Sequence, residues 1–326
     1  MKFVKHTLLA ALLACAANGA PAQDADYPNH PVRMIIPFAP GGASDFVGRI
    51  VAVRFSELLG QQIIIDNRTG AAGNIGMEAG AKAPPDGYTI YLGNIGTLAI
   101  NPHLYSNLSI NPLKDFAPVS AIADMPSGLV ANNELPVKTV AELAAYIKAR
   151  PGKLNFASPG SGSLNRLEME SFKREIGGDM VHVPYKGGAG PAVVGLVGGE
   201  TQMMFSTLSS VISFIKANRL KGLAVTSRER LPQLPEVPTM VESGFPDMVS
   251  SSWQGLMVPA ATPKPVVAKL YAALTRTLAE PDLKMKFANG GAVPVVSKSP
   301  EAFGEFAAAE YKRWGKVAHD AGAKAD

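Results

Sequence analysis

Val32-Arg-Met-Ile-Ile-Pro-Phe-Ala-Pro-Gly-Gly-Ala-Ser-Asp45 is the stretch on which the fold turns. Its apolar run from Val32 to Phe38 suits a strand buried on both faces. Two prolines and two glycines then end the strand, and a helix is predicted to begin at Ser44 or Asp45. From there apolar residues fall at Phe46, Ile50, Val51, Phe55, Leu58 and Leu59, a helical stripe that Gly60 stops. Gln62 to Asp66 reads as a second strand. A glycine-rich turn from Gly70 to Gly76 leads into a short alanine-rich helix, and Tyr88 to Leu92 reads as a third strand. This βαβαβ order predicts an α/β fold with a parallel sheet covered on both faces.

The rhythm restarts past the middle. Thr139-Val-Ala-Glu142 has the spacing of a capping box and opens a helix that must stop at Pro151-Gly152. Leu154–Ser158, Val181–Tyr185, Gln202–Phe205 and Gly222–Thr226 read as strands with helices between them, one of these spanning about Leu164 to Ile176. Pro118–Ala131 and Ser250–Pro259 look extended and apolar without a helical period, as two strands crossing between two units would. Amphipathic helices follow at about Lys264–Leu278 and Pro300–Ala318. The expected organisation is a discontinuous lobe 1 (23–124 and 251–326), an inserted lobe 2 (125–250), and a ligand cleft between them closed by a two-strand hinge.

The first 22 residues set the compartment. Lys2, Lys5 and His6 precede an apolar run from Thr7 to Ala17, and Ala20-Pro21-Ala22 offers small residues for cleavage. This is the order of a secretory signal peptide, and the run is too short for a permanent span. Cys15, the only cysteine, lies inside it; Leu12-Leu-Ala-Cys15 is a poor lipoprotein cleavage site. The exported part then has no disulfide, thiol nucleophile or thiolate ligand. Composition is globular, 47% hydrophobic and 18% charged, and the formal charge of +4 includes Lys2 and Lys5. So small an excess, with no Lys/Arg block, argues against nucleic acid.

Two loops carry candidate chemistry. The first supplies Phe38, Ala39, Pro40, Gly41, Gly42 and Asp45 between a strand and a helix start. It reads either as an anion site built from open backbone N–H groups or as a tight turn with a helix cap. The second, Ser158-Pro-Gly-Ser-Gly-Ser163, has more hydroxyls than a cap needs, which favours ligand contact through Ser158, Gly160, Ser161, Gly162 and Ser163. Both loops follow strand C-termini, where open α/β sheets bind ligands. Asn94, Phe205 and Thr207 follow strand ends too, as cleft residues or as packing. Catalytic and cofactor signatures fail. Pro159 stands where a G-x-S-x-G elbow needs glycine, Asn165 where G-x-G-x-x-G needs its third, and no Walker sequence occurs. His30, His103, His182 and His319 lie far apart, with no metal spacing; His182, in an apolar strand, is expected as a hydrogen-bonded core histidine. No metal, cofactor or catalytic residue is assigned.

Taken together, Tyr27-Pro…Pro31-Val-Arg, Pro37-Phe-Ala-Pro-Gly-Gly…Asp45, Asn67-Arg, Gly70-Ala-Ala-Gly-Asn-Ile-Gly76, Pro85-Asp-Gly-Tyr88, Asn101-Pro, Asp115-Phe-Ala-Pro-Val119, Ala157-Ser-Pro-Gly-Ser-Gly-Ser163, His182-Val-Pro-Tyr-Lys-Gly187, Leu223-Ala-Val-Thr226, Pro235-Glu-Val-Pro-Thr239, Trp253-Gln-Gly-Leu256 and Pro259…Thr262-Pro form an ordered series. Over nearly the whole mature chain this series resembles the solute receptors of tripartite tricarboxylate transporters, the TctC-like or Bug family. The resemblance implies a type II periplasmic binding fold, two Rossmann-like lobes on a two-strand hinge, and a small carboxylate gripped by the two loops. It implies a periplasmic receptor and not an enzyme, delivering its ligand to the membrane permease subunits of such a transporter, without a cofactor and as a monomer. Two other readings stay open: a receptor feeding a sensor kinase, and a hydrolase using Ser161 or Ser163.

Two departures from the family pattern bear on the ligand. Arg166 stands where a histidine is common, either to pair a second ligand carboxylate or to pair Glu170 one turn on. Ser206 stands where relatives often carry an aspartate. A gained cation and a missing acid point to a purely anionic ligand and away from an amino acid.

Overall fold

The computed structural model describes residues 27–320, so the export segment read over 1–22, with Cys15, lies outside the described residues. The opening stretch forms strand β1 (Val32–Ile36), then helix α1 (Ala43–Leu59), strand β2 (Ile63–Asn67), helix α2 (Asn74–Ala81) and strand β3 (Thr89–Asn94). Helix α1 begins one residue before the expected Ser44, because Gly42 is its extended N-cap, and it ends where Gly60 turns left-handed at φ 75°. Its stripe of Val47, Val51, Phe55 and Leu59 is buried. β1 pairs in parallel with β2 and β3, with Met34 opposite both Ile65 and Ile90.

Short helices α3 (Asn101–Leu104) and α4 (Pro112–Asp115) precede the long strand β4 (Phe116–Ala131). The rest of the middle region is helix α5 (Val140–Lys148), strand β5 (Asn155–Ser158), helix α6 (Leu164–Ile176), strand β6 (Val181–Pro184), helix α7 (Ala189–Val197), strand β7 (Met203–Thr207), helix α8 (Leu208–Lys216) and strand β8 (Lys221–Val225). Thr139 caps α5 by accepting from Glu142 N, while the Glu142 side chain accepts from Lys138 N instead of the cap residue's own N–H. The chain returns through β9 (Ser251–Pro259) to helices α9 (Lys264–Ala279) and α10 (Pro281–Asn289), strand β10 (Val293–Pro294) and helix α11 (Pro300–Asp320). The sequence reading passed over α10 and the helical segment from Gly96 to Leu104. Both are too short to show a full apolar stripe, and the second opens with a π turn.

All ten strands join one hydrogen-bonded sheet whose path runs β2-β1-β3-β9-β4-β7-β5-β6. The outer triples are parallel, as the βαβ order requires; β9 enters antiparallel between β3 and β4. β4 pairs β9 from Phe116↔Pro259 to Pro126↔Ser251, and from Ser127 onward it pairs β7, so one strand serves both ends of the sheet. The core has a matching division. Residues 27–125 and 253–318 build two apolar clusters, to which α9 gives Leu270 and Leu274 and α11 gives Phe303 and Trp314. Residues 129–248 build two more, around Phe156, Phe172, Phe205 and Met204. Leu164 and Leu167 at the start of α6 cross over and pack in the cluster of the first half, which holds the halves together.

Where α11 meets β9 the fit is tight. A Cβ on Gly255 would stand 2.0 Å from Cζ of the fully buried Phe303 ring. Gly255→Ala is therefore expected to cost about 1–3 kcal/mol of stability by overpacking. Urea unfolding measures this, and Phe303→Leu in the same chain should restore part of the loss; additive losses would show that the ring is not the obstacle.

Candidate functional site

Between the halves lies a cavity with about 530 Å³ of empty space, a figure that includes the solvent at its mouth. It sits at the C-terminal ends of β1, β3, β5 and β7, bordered by residues that immediately follow or end each of these strands, Phe38, Asn94, Pro159 and Thr207 among them. Four helices of eight residues or more open onto it. Gly42 and Ala43 begin α1, Ser163 and Leu164 begin α6, Ala189 begins α7, and Thr207 precedes α8. Three of these starts, on α1, α7 and α8, have no side-chain cap, which leaves first-turn N–H groups beside the cavity without a side-chain acceptor. Only α6 is capped, Ser163 accepting from Arg166 N.

The floor comes from the crossing strands. Gln254 stands opposite Asn94 in the β9–β3 pairing, is fully buried, and accepts from Ser44 Oγ through its Oε1 at 2.9 Å. At the other end of the amide, Gln254 Nε2 is buried and has no hydrogen-bond partner among the described residues. A buried donor without an acceptor costs on the order of 1–3 kcal/mol. The helix starts bring partial positive charge to the cavity without a side-chain cation, because every residue lining it is formally neutral. A larger groove lies against α11 and the crossing strands. Its charges balance, Arg228, Lys298 and Arg313 against Asp124, Asp247 and Glu310, so it offers an anion no net attraction.

The site residues expected from the sequence are divided by this geometry. Phe38, Gly42, Asn94, Gly162, Ser163 and Thr207 line the cavity. Ala39, Pro40 and Gly41 form its rim, Ala39 N donating to Gly187 O at 3.2 Å across the two halves. Asp45 is buried under that loop and accepts from Gly41 N, Arg49 Nε and Asn67 Nδ2. Burial pushes its carboxyl up, but the hydrogen bonds from Arg49, Gly41 and Asn67 outweigh this and hold it below the ordinary value. It braces the loop and does not line the cavity. Phe205 is wholly core, edge-on to Phe172. Gly160 and Ser161 shape the second loop from behind, Gly160 with φ 134°. Gly162 has no room for a side chain, since a Cβ would fall 1.7 Å from Asn101 Oδ1.

Arg166 is placed away from the cavity lining. Its Nη1 donates to Ser161 O at 3.0 Å and its Nε lies 4.0 Å from Glu170, the i+4 pairing. The physical reason is helical: residue 166 is one turn position past the two, Leu164 and Asn165, that point inward. Ser158 and His182 form a close pair, Oγ to Nε2 at 2.7 Å, with His182 stacked on Phe156. This is the spacing of a nucleophile and base, but Ser158 is fully buried and does not reach the cavity. Ser163 donates to Gly160 O instead of facing His182. Sequence reasoning missed Ser44, Asn165, Ala189, Ser252 and Gln254. The Gly187-Gly188 pair before the helix was a legible signal for Ala189. Ser252 and Gln254 lie in a strand whose pairing alone brings them here.

Residues 47–323 match the family model described as "Tripartite tricarboxylate transporter family receptor", TctC. Protein BugT of Bordetella pertussis is 37% identical over 313 residues, covering 96% of this chain and 95% of that protein. A solved R. palustris protein with adipate superposes with a TM-score of 0.88 at 36% identity, covering 91% of this chain and 99% of that one. MatC from Rhodopseudomonas palustris with bound malate superposes at 0.84 with 33% identity, covering 89% and 99%. The chain belongs to the TctC/Bug family of periplasmic solute-binding receptors, which are not enzymes, and its fold is theirs. Among the described residues no helix is long and apolar enough to cross a membrane.

His182 gives this site a measurable titration. Burial, with the nearby Arg166 charge, lowers its pKa from 6.5 to about 4. The unfolded chain therefore takes up a proton between these values that the folded chain refuses, so stability is expected to fall as pH drops from about 6.5 to about 4. Thermal unfolding across that window should show a smaller loss for His182→Gln. An equal loss in both proteins would place the titration elsewhere.

Proposed function

We propose that this protein captures a small carboxylate in the cavity between its halves and delivers it to the membrane subunits of a tripartite tricarboxylate-type transporter. The observation that carries the reading is the convergence of uncapped helix starts with the unpartnered Gln254 Nε2 in a cavity that holds no charged side chain. A carboxylate supplies the acceptors these donors lack and is stabilised by the helix dipoles. Relatives solved with adipate and malate support the same ligand class.

In this reading residues 23–124 with 251–326 form one lobe, residues 125–250 the other, and β4 and β9 are the hinge between them. Ligand enters when the hinge opens, and closure brings α1 and the loop before it against the starts of α6 and α7. The receptor works as a monomer, exported by the signal segment over 1–22 and released without a lipid on Cys15. Arg166 has no place in this grip; the open helix starts take the second carboxylate of a diacid.

Each charge-assisted hydrogen bond contributes about 1.5–3 kcal/mol. Gln254→Leu should therefore weaken every carboxylate that binds by about 10- to 150-fold. Isothermal titration of protein stripped of co-purified ligand, against mono-, di- and tricarboxylates, measures this. Binding of no organic acid by the stripped wild type, or full affinity in Gln254→Leu, would overturn the assignment.

A further inference from the structure

One side chain at the cavity is set to do what a carboxylate cannot satisfy. Asn165 is the second residue of α6, 4% exposed, and lines the cavity beside Ser163. Its Nδ2 makes two hydrogen bonds, to Ser127 Oγ at 3.0 Å and to Glu168 Oε2 at 2.9 Å. Both N–H bonds of the amide are therefore used, and both point away from the ligand space. With Glu168 ionised this is the orientation that fits, because a carboxylate accepts and does not donate, so the opposite one would set Asn165 Oδ1 against Glu168 Oε2. Glu168 is itself fixed. It is 5% exposed and accepts from Ser250 Oγ through its other oxygen, with no ion pair among the described residues. What remains of Asn165 is its Oδ1, to which no donor among the described residues is bonded.

The other polar groups of the lining behave differently. Gln254 Nε2 and Asn94 Nδ2 are donors, Asn94 Oδ1 already accepting from Thr97 N, and the Thr207 and Ser252 hydroxyls can donate. Each of these suits a carboxylate oxygen. Asn165 Oδ1 is an acceptor only, and a carboxylate oxygen beside it would be repelled. A ligand that carried nothing but carboxylates and methylenes would leave this oxygen buried without a donor, at a cost that the matching hydroxyl removes.

Resting on the carboxylate reading above, we propose that Asn165 makes this receptor selective for hydroxy acids, an alcohol O–H donating to its Oδ1, and that Glu168 is the residue that positions its amide. A hydroxyl is favoured over an ammonium as the donor, because the lining offers no acidic side chain to hold a buried positive charge.

Matched acids differing in one group test this by isothermal titration on the stripped full-length mature protein: succinate, malate and aspartate, and glutarate, 2-hydroxyglutarate and glutamate. The hydroxy acid is expected to bind about 5- to 100-fold more tightly than its deoxy partner, and the amino acid less tightly than the hydroxy acid. The ratio of hydroxy to deoxy affinity should fall close to one in Asn165→Leu and in Glu168→Leu. It should survive in Glu168→Gln, whose amide oxygen still accepts from Asn165 while its nitrogen meets Ser250. A wild type that binds the deoxy or amino acid as tightly as the hydroxy acid overturns the proposal without any variant. So does a ratio that persists in Asn165→Leu, while equal loss in Glu168→Gln and Glu168→Leu would remove the positioning role of Glu168. If none of these acids or longer ones binds, the carboxylate reading fails and this one with it; if they bind without preference for the hydroxyl, only this one fails.

Discussion

The pairing of β4 with β9 is the constraint on which the rest depends. The two strands run antiparallel from Phe116↔Pro259 to Pro126↔Ser251, and they are the segments by which the chain passes from one half to the other and back. Their register places Gln254 beside Asn94 and Ser252 beside Met125, so the cavity floor is made of backbone-paired residues that cannot shift independently. At the point of crossing, Ser127 N donates to Thr226 Oγ1, Thr226 Oγ1 donates to Ser250 O, and Asn165 reaches Ser127 Oγ. The floor of the cavity and the crossover are thus one hydrogen-bonded unit. In the receptor reading, whatever touches Asn165 or Gln254 pulls on the strands about which closure would occur.

The electrostatics of the site follow from where helices begin. A cationic side chain in so enclosed a cavity would have to be desolvated, at a cost of several kcal/mol. Peptide dipoles bring partial positive charge without that penalty, since the helix has already ordered them. This accounts for a neutral lining in a protein whose family captures solutes, and for the absence of Arg166 from it. Arg166 instead ties the back of its own loop through Ser161 O, and its charge helps to keep His182 neutral. Asp45 holds the first loop in the same indirect way, by gathering Gly41, Arg49 and Asn67.

Glu168 shows the opposite balance. Burial raises its pKa, while bonds from Ser250, Asn165 and Ser127 pull the other way without reversing the shift. A buried carboxyl without an ion pair is a net cost to folding, and a residue of that kind stands where it does some positional work. The work visible here is to fix one amide at the edge of the cavity.

The order of elements and the two loops at strand ends were legible in the sequence alone, because these are local. Apolar runs of strand length, helical stripes such as Val47–Val51–Phe55, and glycines that only a turn tolerates announce themselves within a dozen residues. The sequence also determined the family, through an ordered series of short motifs. What tertiary structure decided is which of those loop residues face inward. Arg166 and Asn165 are neighbours in sequence and the helix turns one toward Glu170 and the other into the cavity. Phe205 and Thr207 sit two apart in one strand, and strand β7 ends so that the first is core and the second is lining. Gln254 and Ser252 could not be read at all, because their position is a matter of antiparallel register between segments more than 100 residues apart, and no local pattern encodes a register.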